Sequence, residues 1–377
     1  MNCKESPLFI PILDDASKVT SYILKERVAP LQQSFYYINN PTDISEHYLW
    51  FYCAFPPSGS GAYGRTLAVL DFQNQTVRHF PDTQFQAASP YVDPQTADVY
   101  WTTGRAIWRR SPEEKTMPQC VYELPASAID NRETGRLVTH LTRSADGQRF
   151  AIDARIGLQY WFGTMPFNGK GDFEIWHRWD RQYNHAQFNP KDADLMLCAQ
   201  EIHTDPLTGI RSFFNNRLWI IKRGQKPQPV FSEPTAVTHE WWDPAGQHVC
   251  CIRGRDQENP GVWRVDIDSK HVENIWPGEH WHAHQNQAGN YLVSDSVDEA
   301  SFYRGCASSV KFLNGQTGKD VCFARNPQYP CFEGQNYHID PHPRFVLGDK
   351  YVCYTTTVRG CVDLALVCVD ELVSATA

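Results

Sequence analysis

The sequence predicts an all-β protein, a seven-bladed β-propeller. The 377 residues include 23 Gly and 25 Pro, and 13% are aromatic, a mixture typical of many short strands joined by turns. A layout of a polar or aromatic residue, a turn and a short strand recurs at intervals of roughly 40–60 residues, close to the length of a propeller repeat. Apolar residues alternate, or run together, over strand-sized segments bounded by turn residues, which favours strands over helices.

Seven residues open the repeats, and each precedes a turn and an apolar strand. These repeat heads are Tyr36, Ser89, His140, His185, His239, His282 and His342. Most repeats continue with a second apolar strand, such as the strands that begin near Arg217 and near Trp263. We therefore expect seven blades in one domain that covers residues 1–377.

The segment Lys18–Arg27 (KVTSYILKER) comes before the first complete repeat. We predict that it is an outer strand of the last blade, because such a strand closes the ring and removes exposed sheet edges. A short helix is the alternative for this segment. The aromatic segment Arg155–Asp180 contains Trp161, Trp176 and Trp179, and we interpret it as a lid or as an insertion between strands.

Composition narrows the classes of partner. The formal net charge of -8 argues against a nucleic-acid surface, so an anionic ligand would need a local basic pocket. No apolar run reaches the length of a membrane span, and the N-terminal residues lack the pattern of a signal peptide. The 12 cysteines include no CxxC pair, and several lie in apolar runs, as expected for buried free thiols. We expect a cytoplasmic protein with no membrane or nucleic-acid partner.

Five repeat heads are histidines. The start of the innermost strand of a propeller blade faces the central channel, so these imidazoles are predicted to converge there, with Tyr36 beside them. This convergence predicts a functional site, and a hydrogen-bonded channel lining is the alternative.

Two histidine-rich segments are candidate metal ligands. The first (HWHAH) contains His282 and His284, and the second (HIDPH) contains His338, Asp340 and His342. Residues two apart on a strand share a face, which would bring His284 next to His282. Imidazole and carboxylate ligands together suit a divalent cation such as manganese or zinc.

The order RLWII…THEWW, the histidine at position 282 and FEG…DPHPRF resembles the oligogalacturonate lyase family of seven-bladed propellers. The likeness runs over roughly residues 180–365 and more weakly over the N-terminal third. The resemblance implies that Arg217 and His239 are catalytic and that His282 binds the metal. In the family the last blade carries H-P-H-P, whose two histidines are metal ligands, and here the second is His342.

The last blade departs from the family pattern. Asp340 stands where the family has the first histidine of H-P-H-P, and Tyr337 stands where it has a glutamine ligand. A shift of two residues would instead assign the glutamine and histidine to Gln335 and His338. Asp340 can still bind a divalent cation, whereas we do not expect Tyr337 to be a ligand. Two outcomes stay open: either Gln335 and His338 complete the metal site, or the metal is lost. These departures also leave open a substrate other than oligogalacturonate.

The resemblance implies β-elimination at a 4-linked uronic acid of an acidic oligosaccharide, assisted by a divalent metal, manganese in our expectation. His239 is the expected base, since the unperturbed pKa of histidine lies near neutral pH. Arg217 is expected to bind the uronate carboxylate, which a guanidinium matches in shape, and a role nearer the proton is its alternative. Two alternatives stay open, a propeller enzyme for another uronate linkage such as rhamnose–glucuronate and a non-catalytic binding module.

The resemblance also implies a sugar site in the channel. His140, His185 and Tyr36 are expected to line it. Trp242 is expected to stack on a sugar face, with packing inside the blade as its alternative.

Overall fold

The computed structural model describes residues 3–56, 64–297, 306–329 and 339–377. Within these ranges the strands form seven sheets of four or five strands, together with one two-stranded hairpin. Neighbouring strands within each sheet are antiparallel, and six of the sheets are built from consecutive parts of the chain. The predicted all-β, seven-bladed propeller is confirmed.

The chain begins with two strands that belong to the last blade, β1 (Phe9–Leu13) and β2 (Thr20–Leu24). The strands of blade 1 are β3 (Leu31–Gln33), β4 (Tyr48–Ala54), β5 (Arg65–Asp71) and β6 (Thr76–Phe80). Those of blade 2 are β7 (Tyr91–Val92), β8 (Val99–Thr103), β9 (Ala106–Arg110) and β10 (Gln119–Glu123). A 3-10 helix at Ala126–Ile129 leads to blade 3, formed by β11 (Thr134–Arg136), β12 (Arg149–Ile156), β13 (Gln159–Pro166) and β14 (Glu174–Trp179).

Blade 4 carries a hairpin between its second and third strands. Its sheet contains β15 (Tyr183–Phe188), β16 (Leu195–Gln200), β19 (Leu218–Lys222) and β20 (Gln228–Pro229), and the hairpin contains β17 (His203–Thr204) and β18 (Arg211–Ser212). Blade 5 is formed by β21 (Thr238–Trp242), β22 (His248–Arg253), β23 (Gly261–Asp266) and β24 (Val272–Pro277). Blade 6 is formed by β25 (Ala283–Gln285), β26 (Tyr291–Val297), β27 (Ser308–Asn314) and β28 (Lys319–Asn326).

Blade 7 joins the two ends of the chain. Its inner strands are β29 (Arg344–Val346), β30 (Tyr351–Thr356) and β31 (Asp363–Cys368), and β2 and β1 continue the sheet outward from β31. Ser21 pairs with Val367, and Ile23 pairs with Ala365. The predicted closing strand is therefore confirmed, and β1 adds a second N-terminal strand. The short helix α1 (Val369–Ala375) follows β31.

The hydrophobic core lies between neighbouring blades. Every residue of β4 (YLWFYCA) is buried, because the central strands of a blade have another blade on each face. Such strands read as continuous apolar runs rather than as alternating ones. Trp50 of blade 1 packs in one cluster with Trp101 of blade 2, and Phe312 of blade 6 packs in another with Tyr354 of blade 7.

The aromatic segment Arg155–Asp180 is neither a lid nor an insertion, so that interpretation was wrong. It contains β13 and β14, the two outer strands of blade 3. Gly163 in β13 permits the close approach of these strands, because a Cβ there would lie 1.9 Å from the carbonyl oxygen of Glu174.

Six cysteines lie in apolar runs of the sequence. Five of them are buried free thiols, namely Cys53, Cys198, Cys250, Cys251 and Cys353, and Cys368 is half-buried. No helix among the described residues is long and apolar enough to cross a membrane.

Candidate active site

The six repeat heads that carry rings meet in the channel. The ring centroid of Tyr36 lies 4.6 Å from that of His140 and 4.9 Å from that of His342. The rings of His185 and His282 lie 6.4 Å and 6.0 Å from it. His239 joins the group through His282, with centroids 4.2 Å apart. The structure thus brings together the five histidines and the tyrosine that the sequence assigned to one site.

Irregular backbone presents several of these side chains. His185 lies in a β-bulge of β15 and His239 in a β-bulge of β21. The φ angles of His185, His239 and His342 are 58°, 49° and 42°. Positive φ is uncommon for residues other than glycine, and bulges and strained residues concentrate at functional sites, where they redirect side chains. The backbone therefore marks the channel as a candidate site independently of the residue types.

Three of the predicted metal ligands form one buried group. The candidate ligand atoms of His282, Asp340 and His342 all lie within 4.8 Å of one another. Nε2 of His342 is 3.5 Å from Oδ2 of Asp340. Two imidazole nitrogens and a carboxylate oxygen in a buried site are suitable donors for a divalent cation of the manganese or zinc type. The residues present therefore fit a metal.

A buried carboxylate behind this group orients two of its members. Asp295 of β26 lies with each of its oxygens 3.1 Å from Nδ1 of His282. It also accepts the backbone N–H groups of His282, at 2.8 Å, and His342, at 3.0 Å. Because Asp295 engages Nδ1, Nε2 is the nitrogen through which His282 would bind a cation.

A chain of charged groups crosses from blade 4 to blade 5. Nδ1 of His185 lies 2.7 Å from Oε1 of Glu240. Nη2 of Arg217 lies 3.6 Å from Oε2 of Glu240 and 2.9 Å from Oε1 of Glu201. Burial disfavours the Glu240 carboxylate, but the charges of His185 and Arg217 outweigh this effect and lower the pKa of Glu240 to about 2. Glu240 is therefore an ionised carboxylate inside the protein.

Arg217 is buried and lies immediately before β19. Burial opposes its charge, yet the neighbouring Glu240 and Glu201 raise its pKa above the usual arginine value. The sequence assigned Arg217 to the substrate carboxylate. In the structure its guanidinium already serves two carboxylates of the protein, so a substrate carboxylate would have to share it.

His140 is a buried residue whose ring stacks on that of Tyr36. Its side chain is buried, and Nδ1 lies 3.4 Å from the carbonyl oxygen of Ala88. Burial and the neighbouring His185 hold the pKa of His140 well below its ordinary value. A neutral, buried ring stacked on Tyr36 supports that residue, whereas Tyr36 and His185 are themselves half-buried.

Two predicted site residues lie away from the group. Nδ1 of His284 accepts the backbone N–H of Phe345, and its Nε2 lies 3.4 Å from Nη2 of Arg344. The rule that residues two apart share a face does not apply to His284 and His282, because His282 lies just before β25. Trp242 is buried between blades 4 and 5, and its Nε1 donates to the carbonyl oxygen of Gln187. The structure therefore favours the packing alternative for Trp242.

Gln335, Tyr337 and His338 lie outside the described residues, so the assignment of Gln335 and His338 as possible ligands stays a prediction.

The sequence did not indicate the roles of Asp295 and Glu201, and it placed Glu240 beside His239 without a function. Asp295 lies between two serines in β26 (YLVSDSV), and Glu201 lies between β16 and the hairpin of blade 4. Their contacts with Arg217, His282 and His342 join residues that are distant in the sequence, so only the folded structure reveals them. A cavity of about 390 Å³ between the turns of blades 4 and 5 is lined by none of the channel residues, and we do not assign the activity to it.

Two curated proteins are similar to this chain in sequence. An oligogalacturonate lyase of Dickeya dadantii is 23% identical over 193 residues, and an oligogalacturonide lyase of Pectobacterium atrosepticum is 24% identical over 191 residues. Each match covers 47% of this chain and 47% of the relative, so this chain spans about half the length of the curated relatives it matches. No protein-family model matches the chain.

Two solved structures are similar over nearly the whole chain. An oligogalacturonate lyase in complex with manganese has a TM-score of 0.75 at 17% identity, and one from Vibrio parahaemolyticus has a TM-score of 0.75 at 14% identity. Each comparison covers 96% of both chains. The chain resembles the oligogalacturonate lyases. At these identities the match to their structures establishes a shared propeller fold, and the activity has to be argued from the site.

Proposed function

We propose that the protein is a lyase that cleaves a 4-linked uronic acid in short, oligogalacturonate-like chains by β-elimination. The product would carry a 4,5-unsaturated uronate. The observation that carries this proposal is the contact between His239 and His282, whose ring centroids are 4.2 Å apart. It places a group that can accept a proton beside a buried set of metal ligands. Sequence similarity to oligogalacturonate lyases supports the substrate class.

The difficult step is removal of the proton at C5, which is a weak acid next to an ionised carboxylate. Positive charge on that carboxylate stabilises the negative charge that develops when the proton leaves. His282, Asp340 and His342 would hold the divalent cation. When bound, the cation supplies this positive charge, and the structurally similar lyase that contains manganese makes manganese the first candidate.

His239 is the proposed base. Its side chain is half-buried, so it can meet a ligand in the channel. The rings of Trp281 and Tyr37 lie 5.6 Å and 6.5 Å from it and restrict its position. A histidine base suits this chemistry because its unperturbed pKa lies close to neutral pH.

The half-buried Tyr36 and His185 would contact the sugar chain, with His140 supporting Tyr36 from below. Arg217 contributes through its ion pairs with Glu240 and Glu201. In this arrangement the charge of Arg217 keeps the buried Glu240 ionised. Direct contact between Arg217 and the substrate carboxylate stays a prediction from the sequence.

The test is ultraviolet absorbance with a panel of uronate oligosaccharides, with and without Mn²⁺. Elimination creates a conjugated double bond that absorbs in the ultraviolet, whereas hydrolysis does not. We expect an absorbance rise with di- or trigalacturonate. A rise with only another linkage, such as rhamnose–glucuronate, would keep the mechanism and change the substrate. No rise with any uronate would contradict the lyase proposal.

The presence of Asp340 in the candidate metal site is the reason to include rhamnose–glucuronate in the panel. A carboxylate among the metal ligands reduces the net positive charge available to a bound uronate, compared with the histidine of the family pattern. The preferred linkage can change with that charge, and the panel measures it directly.

A further inference from the structure

His185 and His239 occupy equivalent positions in neighbouring blades. In blade 4 the pairing of β15 with β16 shifts between Asn184 and Gln187, and His185 follows Asn184 directly. In blade 5 the pairing of β21 with β22 shifts between Thr238 and Trp241, and His239 follows Thr238 directly. Both histidines have positive φ and half-buried side chains. The fold thus presents two histidines to one channel by the same backbone device.

The imidazole of His185 has a carboxylate partner. Nδ1 of His185 is held at 2.7 Å by Oε1 of Glu240, a buried carboxylate. Glu240 is in turn flanked by Arg217, at 3.6 Å. A carboxylate bound to one ring nitrogen fixes the tautomer and orientation of a histidine and stabilises its protonated form. This arrangement leaves Nε2 of His185 as the nitrogen that exchanges a proton with a ligand.

We propose that His185, oriented by Glu240, is the acid that protonates the oxygen leaving C4. This inference rests on the proposed elimination and adds a catalytic residue to it. The reaction needs two proton transfers, and the base accounts for only one of them. A sugar oxygen is a poor leaving group without a proton, so an acid on the leaving side would speed the step by about 10²–10⁴-fold.

The two histidines account for both protons, because His239 accepts one and His185 donates one. His239 takes the C5 proton, and the C5–H electron pair forms the C4–C5 double bond. The C4–O bond breaks, and its electron pair stays on the oxygen, which receives the proton from Nε2 of His185. His239 ends protonated and His185 ends neutral, so one proton exchanged through solvent restores the starting state. Glu240 is a positioning residue in this scheme and transfers no proton.

Tyr36 is the competing acid because it also lies in the channel. Burial and the nearby Glu240 raise the pKa of its phenol well above the ordinary value, so it is the poorer proton donor. Its ring also stacks on His140 at 4.6 Å, a contact consistent with a platform for the sugar. If Tyr36 were the acid, Tyr36→Phe rather than His185→Asn would lose elimination while still exchanging the C5 proton.

The test measures the two proton transfers separately in the variant His185→Asn. Asparagine is chosen because it tolerates the positive φ at this position. Trigalacturonate is incubated with Mn²⁺ in D₂O, ultraviolet absorbance reports elimination, and proton NMR reports exchange of H5 in uncleaved substrate. We expect elimination to fall at least 100-fold while H5 exchange falls less than about 5-fold. The base still acts in this variant, but the leaving oxygen lacks its proton.

In Glu240→Gln, elimination should also fall more than H5 exchange, but the loss of elimination should be smaller than in His185→Asn. His248→Asn is the matched control, because Nδ1 of His248 makes a similar contact with Asp243 at 3.0 Å outside the channel, and we expect wild-type behaviour. Unfolding temperatures verify that each variant is folded.

Equal loss of exchange and elimination in folded His185→Asn would overturn the inference, since a binding or structural role predicts it. Normal elimination in this variant, or the exchange signature in Tyr36→Phe instead, would also overturn it. Absence of elimination by the wild-type protein on every uronate is a separate result, which contradicts the proposed function itself.

Discussion

Asp295 holds His282 by both its ring and its backbone. Its two oxygens each lie 3.1 Å from Nδ1 of the imidazole, and Oδ1 accepts the backbone N–H at 2.8 Å. The same carboxylate accepts the backbone N–H of His342 at 3.0 Å. One buried group in the second strand of blade 6 therefore fixes two of the three candidate metal ligands, which come from different blades.

Asp295→Asn should weaken Mn²⁺ binding about 10- to 100-fold, the usual effect of losing a partner behind a metal-binding histidine. Isothermal titration calorimetry on the metal-free protein measures this without reference to activity. Asp153→Asn is the control, because Asp153 accepts backbone N–H groups in the same way, from Thr139 of blade 3 and Ala186 of blade 4. Unchanged Mn²⁺ affinity in Asp295→Asn would contradict the orienting role.

Removal of the metal should abolish the proposed elimination. EDTA treatment followed by gel filtration gives metal-free protein, and we expect added Mn²⁺ to restore the absorbance rise with the responsive uronate. Asp340→Ala should need a much higher Mn²⁺ concentration for the same rate, because it removes a carboxylate from the buried group. Full activity of protein shown by elemental analysis to be metal-free would exclude the metal assignment.

His239→Asn should lose turnover by at least 100-fold and keep its fold. Loss of a general base commonly costs this much, and asparagine tolerates the φ of 49° at this position. Steady-state absorbance gives the rate, and circular dichroism gives the unfolding temperature, which we expect to stay within about 3 °C of wild type. A near-normal rate would remove His239 from the role of base.

The blade count and the channel histidines could be predicted because each blade repeats a local pattern. Turn residues recur at the blade interval, and each repeat head lies in the innermost strand of its blade or within a few residues of it. Asp295 could not be predicted, because its partners His282 and His342 lie 13 and 47 residues away. His282 meets it only when the first two strands of blade 6 pair, and His342 only when blade 7 packs against blade 6. The outer strands of blade 3 were missed because their aromatic residues pack between blades and give no clear alternation.

Trp242 illustrates how burial decides between two uses of the same side chain. The structure places it in the core between blades 4 and 5, so Trp242→Ala should destabilise the fold by about 3–5 kcal/mol. Denaturant unfolding measures this loss. KM for the responsive uronate should stay within about twofold of wild type below the unfolding transition. A large rise in KM without a loss of stability would restore the predicted sugar contact.

Asp71 of blade 1 should make stability depend on pH at a distance from the channel. Its buried carboxylate accepts hydrogen bonds from Asn74, Arg78 and His47. Burial disfavours the charge, but these hydrogen bonds outweigh it and lower the pKa to about 2 from a usual value of 3.8. A lowered folded-state pKa contributes stability above the usual value, and this contribution disappears as the pH falls towards 2.

Asp71→Asn should therefore be less stable than wild type by about 2 kcal/mol at pH 5, a size that follows from the pKa difference. The gap should close as the pH approaches 2, where the wild-type carboxyl also becomes neutral. Urea unfolding at a series of pH values measures both proteins, and the exposed Asp15→Asn variant provides the control. A gap that stays constant from pH 5 to pH 2 would show that Asp71 stabilises the blade through its shape and not through its charge.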